Sequence, residues 1–257
     1  MMNIIGCFKL VPDLEMLGVE EWKTAKIGLP DTSFLRRVYS CYDESVLELV
    51  LRAKDIEVEK VKISALTVKK NSDVFSLNSL FAVGYDQVVE IESGEEQDVV
   101  SGIVEYVKTQ KNLPILVMGS LSTDFQGAQI PYEVAEYLGY LCVANVQSFQ
   151  VIGESSIRVT QIDGNVERQL LITNPCVLII GNVPKTYLRI PTLAQKLATK
   201  NKMIEKFELE VCHVKEKKLP KLIQASYINK ERKPEFLTIE AFQELARREL
   251  QREGNTL

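Results

Sequence analysis

Histidine and cysteine are the side chains best suited to acid–base, nucleophilic or metal chemistry near neutral pH, and this chain arranges neither for it. Its one histidine, His213, sits in a charged C-terminal stretch and reads as a solvated surface group. The five cysteines (Cys7, Cys41, Cys142, Cys176 and Cys212) are scattered, odd in number and form no Cys-x-x-Cys pair. Neither a disulfide framework nor a zinc site is expected from them. Cys7 and Cys176 lie inside apolar runs and read as small buried residues. Glu20-Glu21 and Glu95-Glu96 read as solvated pairs, and no carboxylates recur at metal-ligand spacing. The chain contains no G-x-x-x-x-G-K-S/T, no G-x-G-x-x-G and no G-x-S-x-G, so nucleoside-triphosphatase, dinucleotide dehydrogenase and hydrolase readings lack their central motif. No catalytic residue and no metal ligand is assigned.

The elements that would hold a binding site are easier to read. With 257 residues and 46% hydrophobic residues the chain can bury a sizeable core, and 26% charged residues with a net charge of −4 describe an ordinary soluble surface. No basic face for nucleic acid is visible. Apolar runs such as Cys176–Ile180 are far too short to cross a bilayer. The N-terminus lacks a charged region followed by a long apolar run, and the expected compartment is the cytoplasm. Strands are expected at 3–8, 61–68, 87–91 and 115–118, and amphipathic helices at 43–54, 72–83, 98–109 and 129–138. Ser40 or Asp43 caps the first helix, Asp98 lies near the positive end of the third, and Gly84 and Gly139 stop the second and fourth. Residues 14–39 read as a hairpin or loop.

Alternating strands and helices argue for a parallel sheet covered on both faces, with ligands beyond the carboxyl ends of the strands. That puts a site on the loops after Phe8, around Ser40–Asp43, after Thr67 and after Gly119. After residue 145 the pattern changes to antiparallel strands at 146–151, 156–162 and 166–172, with Asp163-Gly164 as a turn, then a buried strand at 176–180. The polar, basic remainder reads as an arm that packs on something else, ending in a helix from Thr238 to Arg252.

Four stretches in order carry a resemblance. They are Cys7-Phe8-Lys9-Leu10-Val11-Pro12-Asp13, then Ser40-Cys41-Tyr42-Asp43-Glu44, then Leu66-Thr67-Val68 through Val83-Gly84-Tyr85-Asp86, and finally Gly119 to Gly139. Over residues 3–204 their order and spacing resemble the beta subunit of electron transfer flavoproteins. Arg189-Ile190-Pro191-Thr192-Leu193 is similar to that family's recognition loop, where a leucine enters an apolar pocket on a partner dehydrogenase and basic residues follow.

The resemblance implies a three-layer αβα domain with a mostly parallel sheet of the Rossmann-like, adenine-nucleotide-binding type over 1–185. A recognition loop, C-terminal arm and terminal helix follow over 186–257. It implies a heterodimer with an alpha-type subunit that binds most of a shared FAD, and AMP or a second FAD in this chain. Electrons would arrive from an acyl-CoA-type or other dehydrogenase. Carried over residue by residue, the cofactor-binding positions are Cys7, Phe8, Lys9, Ser40, Cys41, Tyr42, Asp43, Val68, Asp124, Gly127, Ala128, Gln129 and Ile130. The docking positions are Leu193, Arg189, Lys196 and Lys200, with Lys202 among the basic residues that follow. Tyr42 matches an aromatic position near the partner's flavin, and Leu14 a second approach to it.

Departures keep two other readings open. Gly127 stands where the family has a threonine, Ala128 where it has a glycine, and Phe125 is bulky where a glycine stood. Val68-Lys69-Lys70 replaces M-G-P, and Ser40-Cys41 replaces an asparagine and a proline. The chain reads alternatively as an adenine-nucleotide-binding module, or as a structural beta subunit that has lost its nucleotide.

Overall fold

The computed structural model describes residues 1–24, 30–57, 59–68, 73–92, 99–121, 128–153, 155–173, 175–181, 183–209, 238, 239, 242 and 243. Short apolar runs make the central strands, each buried on both faces as parallel strands require. These are β1 (Met2–Cys7), β4 (Val61–Val68), β5 (Gln87–Glu92), β6 (Ile115–Gly119) and β10 (Cys176–Ile180). The remaining strands are β2 (Leu10–Pro12), β3 (Arg37–Tyr39), β7 (Leu141–Ile152), β8 (Ser156–Asp163), β9 (Val166–Thr173) and β11 (Glu205–Glu208). The main sheet has nine strands in the order β11-β5-β4-β1-β6-β10-β7-β8-β9, and β2 and β3 form a separate antiparallel pair. Pairing is parallel from β11 through β7 and antiparallel from β7 through β9. The architecture is the expected three-layer α/β fold with a mostly parallel sheet.

Helices cover both faces. α2 (Cys41–Ile56) and α3 (Val74–Val83) contribute Val46, Leu47, Val50, Leu77 and Leu80 to one apolar core, against Ile4, Ile63 and Val117 of the sheet. On the other face α4 (Val99–Thr109) and α5 (Ile130–Leu138) bury Ile103, Val107, Val134 and Ala135 against Ile5, Leu66 and Leu116. Adjacent strand residues such as Ile4 and Ile5 thus serve opposite cores, as alternation along a strand dictates. Tyr85 is fully buried in the core under α2 and α3, and its hydroxyl donates to Leu47 O at 3.0 Å. Asp73 caps α3 by accepting the N–H groups of Phe75 and Ser76. Gly84 ends α3 at φ +123° and Gly139 ends α5 at φ +67°, conformations that cost little only for glycine.

Several details differ from the sequence reading. β7 starts at Leu141, five residues ahead of the expected 146, and carries a bulge near Asn145, whose φ is +56°. The β8–β9 register pairs Asp163 with Val166, so the two turn residues are Gly164 and Asn165, one position on from the expected pair. Gly164 at φ +59° is the glycine that such a turn requires at its first position. The segment read as a hairpin or loop, 14–39, contains α1 (Val19–Thr24) and β3, which pairs antiparallel with β2 just ahead of the segment. The polar arm holds α6 (Leu193–Ala198), which packs on α3, and β11, which extends the sheet beyond β5.

Chain contacts divide the molecule into Met1–Val214 and Lys215–Leu257. In the second unit the Phe242 N–H donates to Thr238 O. The terminal helix otherwise lies outside the described residues, as do His213, Cys212 and Glu95-Glu96. Among the described residues no helix is long and apolar enough to cross a membrane.

Gly84→Ala forces a side chain into a backbone conformation that L-residues avoid, at roughly 1–3 kcal/mol. Urea denaturation should show that loss. An unchanged midpoint would contradict the capping role.

Candidate functional site

From β1 the chain moves one way through β4 to β5, then returns to β6 on the other side of β1. That reversal is the kind of switch point at which α/β proteins form a ligand crevice, here at the carboxyl ends of β1 and β6. β1 ends at Cys7, β6 ends at Gly119, and the first turn of α2 lies against them.

Ser40 is the cap of α2. Its hydroxyl oxygen accepts the Asp43 N–H at 3.2 Å and donates to Asp43 Oδ2 at 2.9 Å. Asp43 Oδ2 also accepts the Lys9 backbone N–H at 3.1 Å. Both residues are buried, with 2% of Ser40 and 5% of Asp43 exposed. A buried carboxylate is tolerable when N–H and O–H donors satisfy it at the positive end of a helix. The arrangement therefore ties the end of β1 to the start of α2. Gly119 completes it, because a Cβ there would lie 2.8 Å from Asp43 Oδ1 and 3.1 Å from Tyr42 Cβ. Nothing in the sequence alone singles out Gly119 as more than the end of a strand.

Cys7 is buried, and burial pushes its thiol up to about 12, with the Asp43 charge adding to the effect. Phe8 is a core side chain whose ring meets Tyr39 at 5.6 Å between centroids, while its N–H donates to Leu66 O. Cys41 is exposed and Tyr42 half-buried at the crevice. Val68, half-buried at the end of β4, packs on the α4 side. Cys7 through Lys9, Ser40 through Asp43 and Gly119 thus converge. Asp124, Phe125, Gly127, Lys69 and Lys70 lie outside the described residues. Ala128 is exposed with φ +51°, a region that favours the glycine of the family pattern. Gln129, at the cap position of α5, makes no capping hydrogen bond, and Ile130 is 39% exposed.

The docking positions lie on the segment leading into α6, within it and just beyond it. Leu193 is 74% exposed, and its neighbours Ile190, Tyr187 and Leu197 are exposed as well. Lys196 sits over the Phe75 ring at 4.9 Å, Lys202 donates to Tyr85 O, and Lys200 is exposed. Arg189 behaves differently from the other docking positions, because its guanidinium is held within the chain by Glu48 and Asp55. Leu14 is half-buried on the short 3-10 turn at Leu14–Met16.

A mostly parallel sheet with a switch in strand order, covered by helices on both faces, defines a three-layer α/β protein of the doubly wound kind. The family model for the electron transfer flavoprotein domain matches residues 36–211. The chain is also 28% identical over 204 residues, 77% of its length and 78% of the relative's, to an Escherichia coli (strain K12) protein named "Putative electron transfer flavoprotein subunit YgcR". The chain belongs to the electron transfer flavoprotein family.

Two predictions follow from this geometry. Gly119→Ala should destabilise the fold by roughly 1–3 kcal/mol, because the crowded Asp43 carboxylate must move. Denaturant titration checks this, and a loss below a few tenths would mean the neighbours yield freely. In thiol labelling of the folded protein mapped by mass spectrometry, Cys41 should react well ahead of Cys7 and Cys176. The latter two are buried, and burial pushes the Cys176 thiol up to about 12 as well. Equal rates would refute the burial of Cys7.

Proposed function

We propose that the chain is the beta-type subunit of a heterodimeric electron transfer flavoprotein, working in the cytoplasm without membrane insertion or nucleic-acid contact. An alpha-type subunit binds most of a shared FAD, and this chain closes one side of the flavin cleft. The observation that carries the reading is the first turn of α2, where Tyr42 stands at the switch-point crevice beside Gly119. A bound flavin supplies the redox chemistry, and the chain's own residues place and shelter it. Tyr42 offers an aromatic face that excludes water from the cleft. Leu193 is the apolar anchor for an acyl-CoA-type or other dehydrogenase, with Lys196 and Lys200 beside it. An exposed apolar residue among polar neighbours is what a transient contact uses.

AMP or a second FAD occupies this chain's own crevice in the same reading. Asp43 supports the site by tying the end of β1 to the start of α2 through the Lys9 N–H and the Ser40 hydroxyl. At the start of α5 Pro131 has no N–H and the Tyr132 and Glu133 N–H groups donate to Gln129 O, so backbone donors to an anion there come from residues ahead of Pro131. Cys7, Phe8, Lys9, Ser40, Cys41 and Val68 line or support the site through their placement at the strand ends. The family resemblance assigns Asp124, Gly127, Ala128, Gln129 and Ile130 to its phosphate side. One observation favours a second reading, a beta subunit that has lost this nucleotide. Ala128 keeps a left-handed backbone that a glycine would adopt without strain.

Co-expression with an alpha-type subunit tests both readings. A yellow heterodimer with reversible flavin reduction is expected, and Tyr42→Ala should shift the flavin's visible spectrum or potential. A colourless monomer that binds ATP would sink the carrier reading in favour of a nucleotide-binding module. Reverse-phase chromatography of the denatured heterodimer separates the two beta-subunit readings, by recovering one adenine nucleotide beyond the shared FAD or none.

A further inference from the structure

Glu48 is a carboxylate in the middle of α2 with only 5% of its surface exposed. It lies on the helix whose first turn shapes the crevice, yet it points to a segment 141 residues away in the chain. Glu48 Oε2 accepts the Arg189 backbone N–H at 3.2 Å and Arg189 Nε at 3.1 Å, and Oε1 accepts a terminal guanidinium nitrogen at 2.9 Å. Arg52 Nε adds a fourth donor at 3.2 Å. Asp55, one helical stretch further on, takes the Arg189 guanidinium at 2.8 Å. Three residues earlier on the helix, the Ser45 hydroxyl contacts the carbonyl oxygen of Thr186, itself 4% exposed. Residues 186–189 are therefore moored to α2 through backbone and side chain together. Immediately beyond, Ile190 is 89% exposed and Leu193 74%.

A buried carboxylate satisfied by a forked guanidinium and a backbone N–H permits one geometry, where a solvated pair permits many. We infer that Glu48 is a positioning residue for partner docking: it fixes the direction in which residues 190–193 leave the body of the protein. The inference rests on the proposed function, in which those residues meet the dehydrogenase. Glu48 touches neither flavin nor partner and acts only through Arg189.

The test uses the heterodimer with its alpha-type subunit, as wild type, Glu48→Gln and Arg189→Lys. Hydrogen exchange is followed by mass spectrometry over residues 186–193 and over β1 and β4. In parallel, an acyl-CoA dehydrogenase reduced by its substrate donates electrons to each heterodimer. For Glu48→Gln, exchange over 186–190 should quicken at least tenfold while β1, β4 and the flavin content stay as in wild type. The KM for the heterodimer should rise at least fivefold with kcat within twofold. Arg189→Lys keeps the charge and the backbone bond but loses the fork, and should show a smaller rise in both. Unchanged loop exchange in Glu48→Gln overturns the positioning role. Faster exchange with unchanged KM overturns its link to docking. Core exchange and flavin content that change with the loop would reduce Glu48 to a general stabiliser. A wild-type heterodimer that accepts no electrons removes the dehydrogenase reading itself, and the docking role with it.

Discussion

The Asp43 carboxylate is buried where two strand ends and a helix start meet, and the rest of the site depends on how it is satisfied. One oxygen takes the Ser40 hydroxyl and the Lys9 N–H, and the other lies where only a glycine at 119 leaves room. Unpaired, such a charge would draw water into the crevice or expel the helix. Paired, it fixes the spacing of β1, β6 and α2 and leaves Tyr42 and Cys41 directed toward the opening. A capping hydroxyl, a helix terminus and a missing Cβ thus combine to set the geometry of these strand ends.

α2 extends this order. Its first turn belongs to the crevice, while its middle holds Thr186 and Arg189 through Ser45 and Glu48. A helix packed along a sheet transmits position faithfully because its core side chains, Val46, Leu47 and Val50 among them, are fully buried. The flavin side and the docking side of the proposed carrier are therefore arranged by one element of secondary structure. A carrier needs that economy, since its task is to hold a redox group at a distance from whatever meets its surface.

Much of the sheet was legible because parallel strands buried on both faces leave continuous apolar runs. Cys176–Ile180 and Ile115–Gly119 are plain examples. Gly84 and Gly139 marked helix ends for the steric reason that the structure displays. β11 was illegible, since Glu205-Lys206-Phe207-Glu208 has one apolar residue, and its place depends on the Phe207 ring meeting Tyr106 at 5.4 Å. β2 and β3 have three residues each, too few for a period to show. At the start of α2, Ser40 was readable as a cap because it precedes an amphipathic run. The Glu48–Arg189 contact was not, because no local pattern records a partner so distant in sequence. Gly119 was missed for a related reason: the need for a glycine comes from the residue it faces.

β11 also alters the character of the sheet's margin. Without it, β5 would present unpaired backbone beside Val88, Val89 and Ile91, all fully buried. A bare parallel edge of that kind invites strands from other molecules. The replacement margin is short and carries Glu205, Lys206 and Glu208, and Lys206 is paired across to Glu92 at 2.6 Å. The charged selvedge that the chain weaves from its own polar arm keeps this side of the molecule from templating its neighbours.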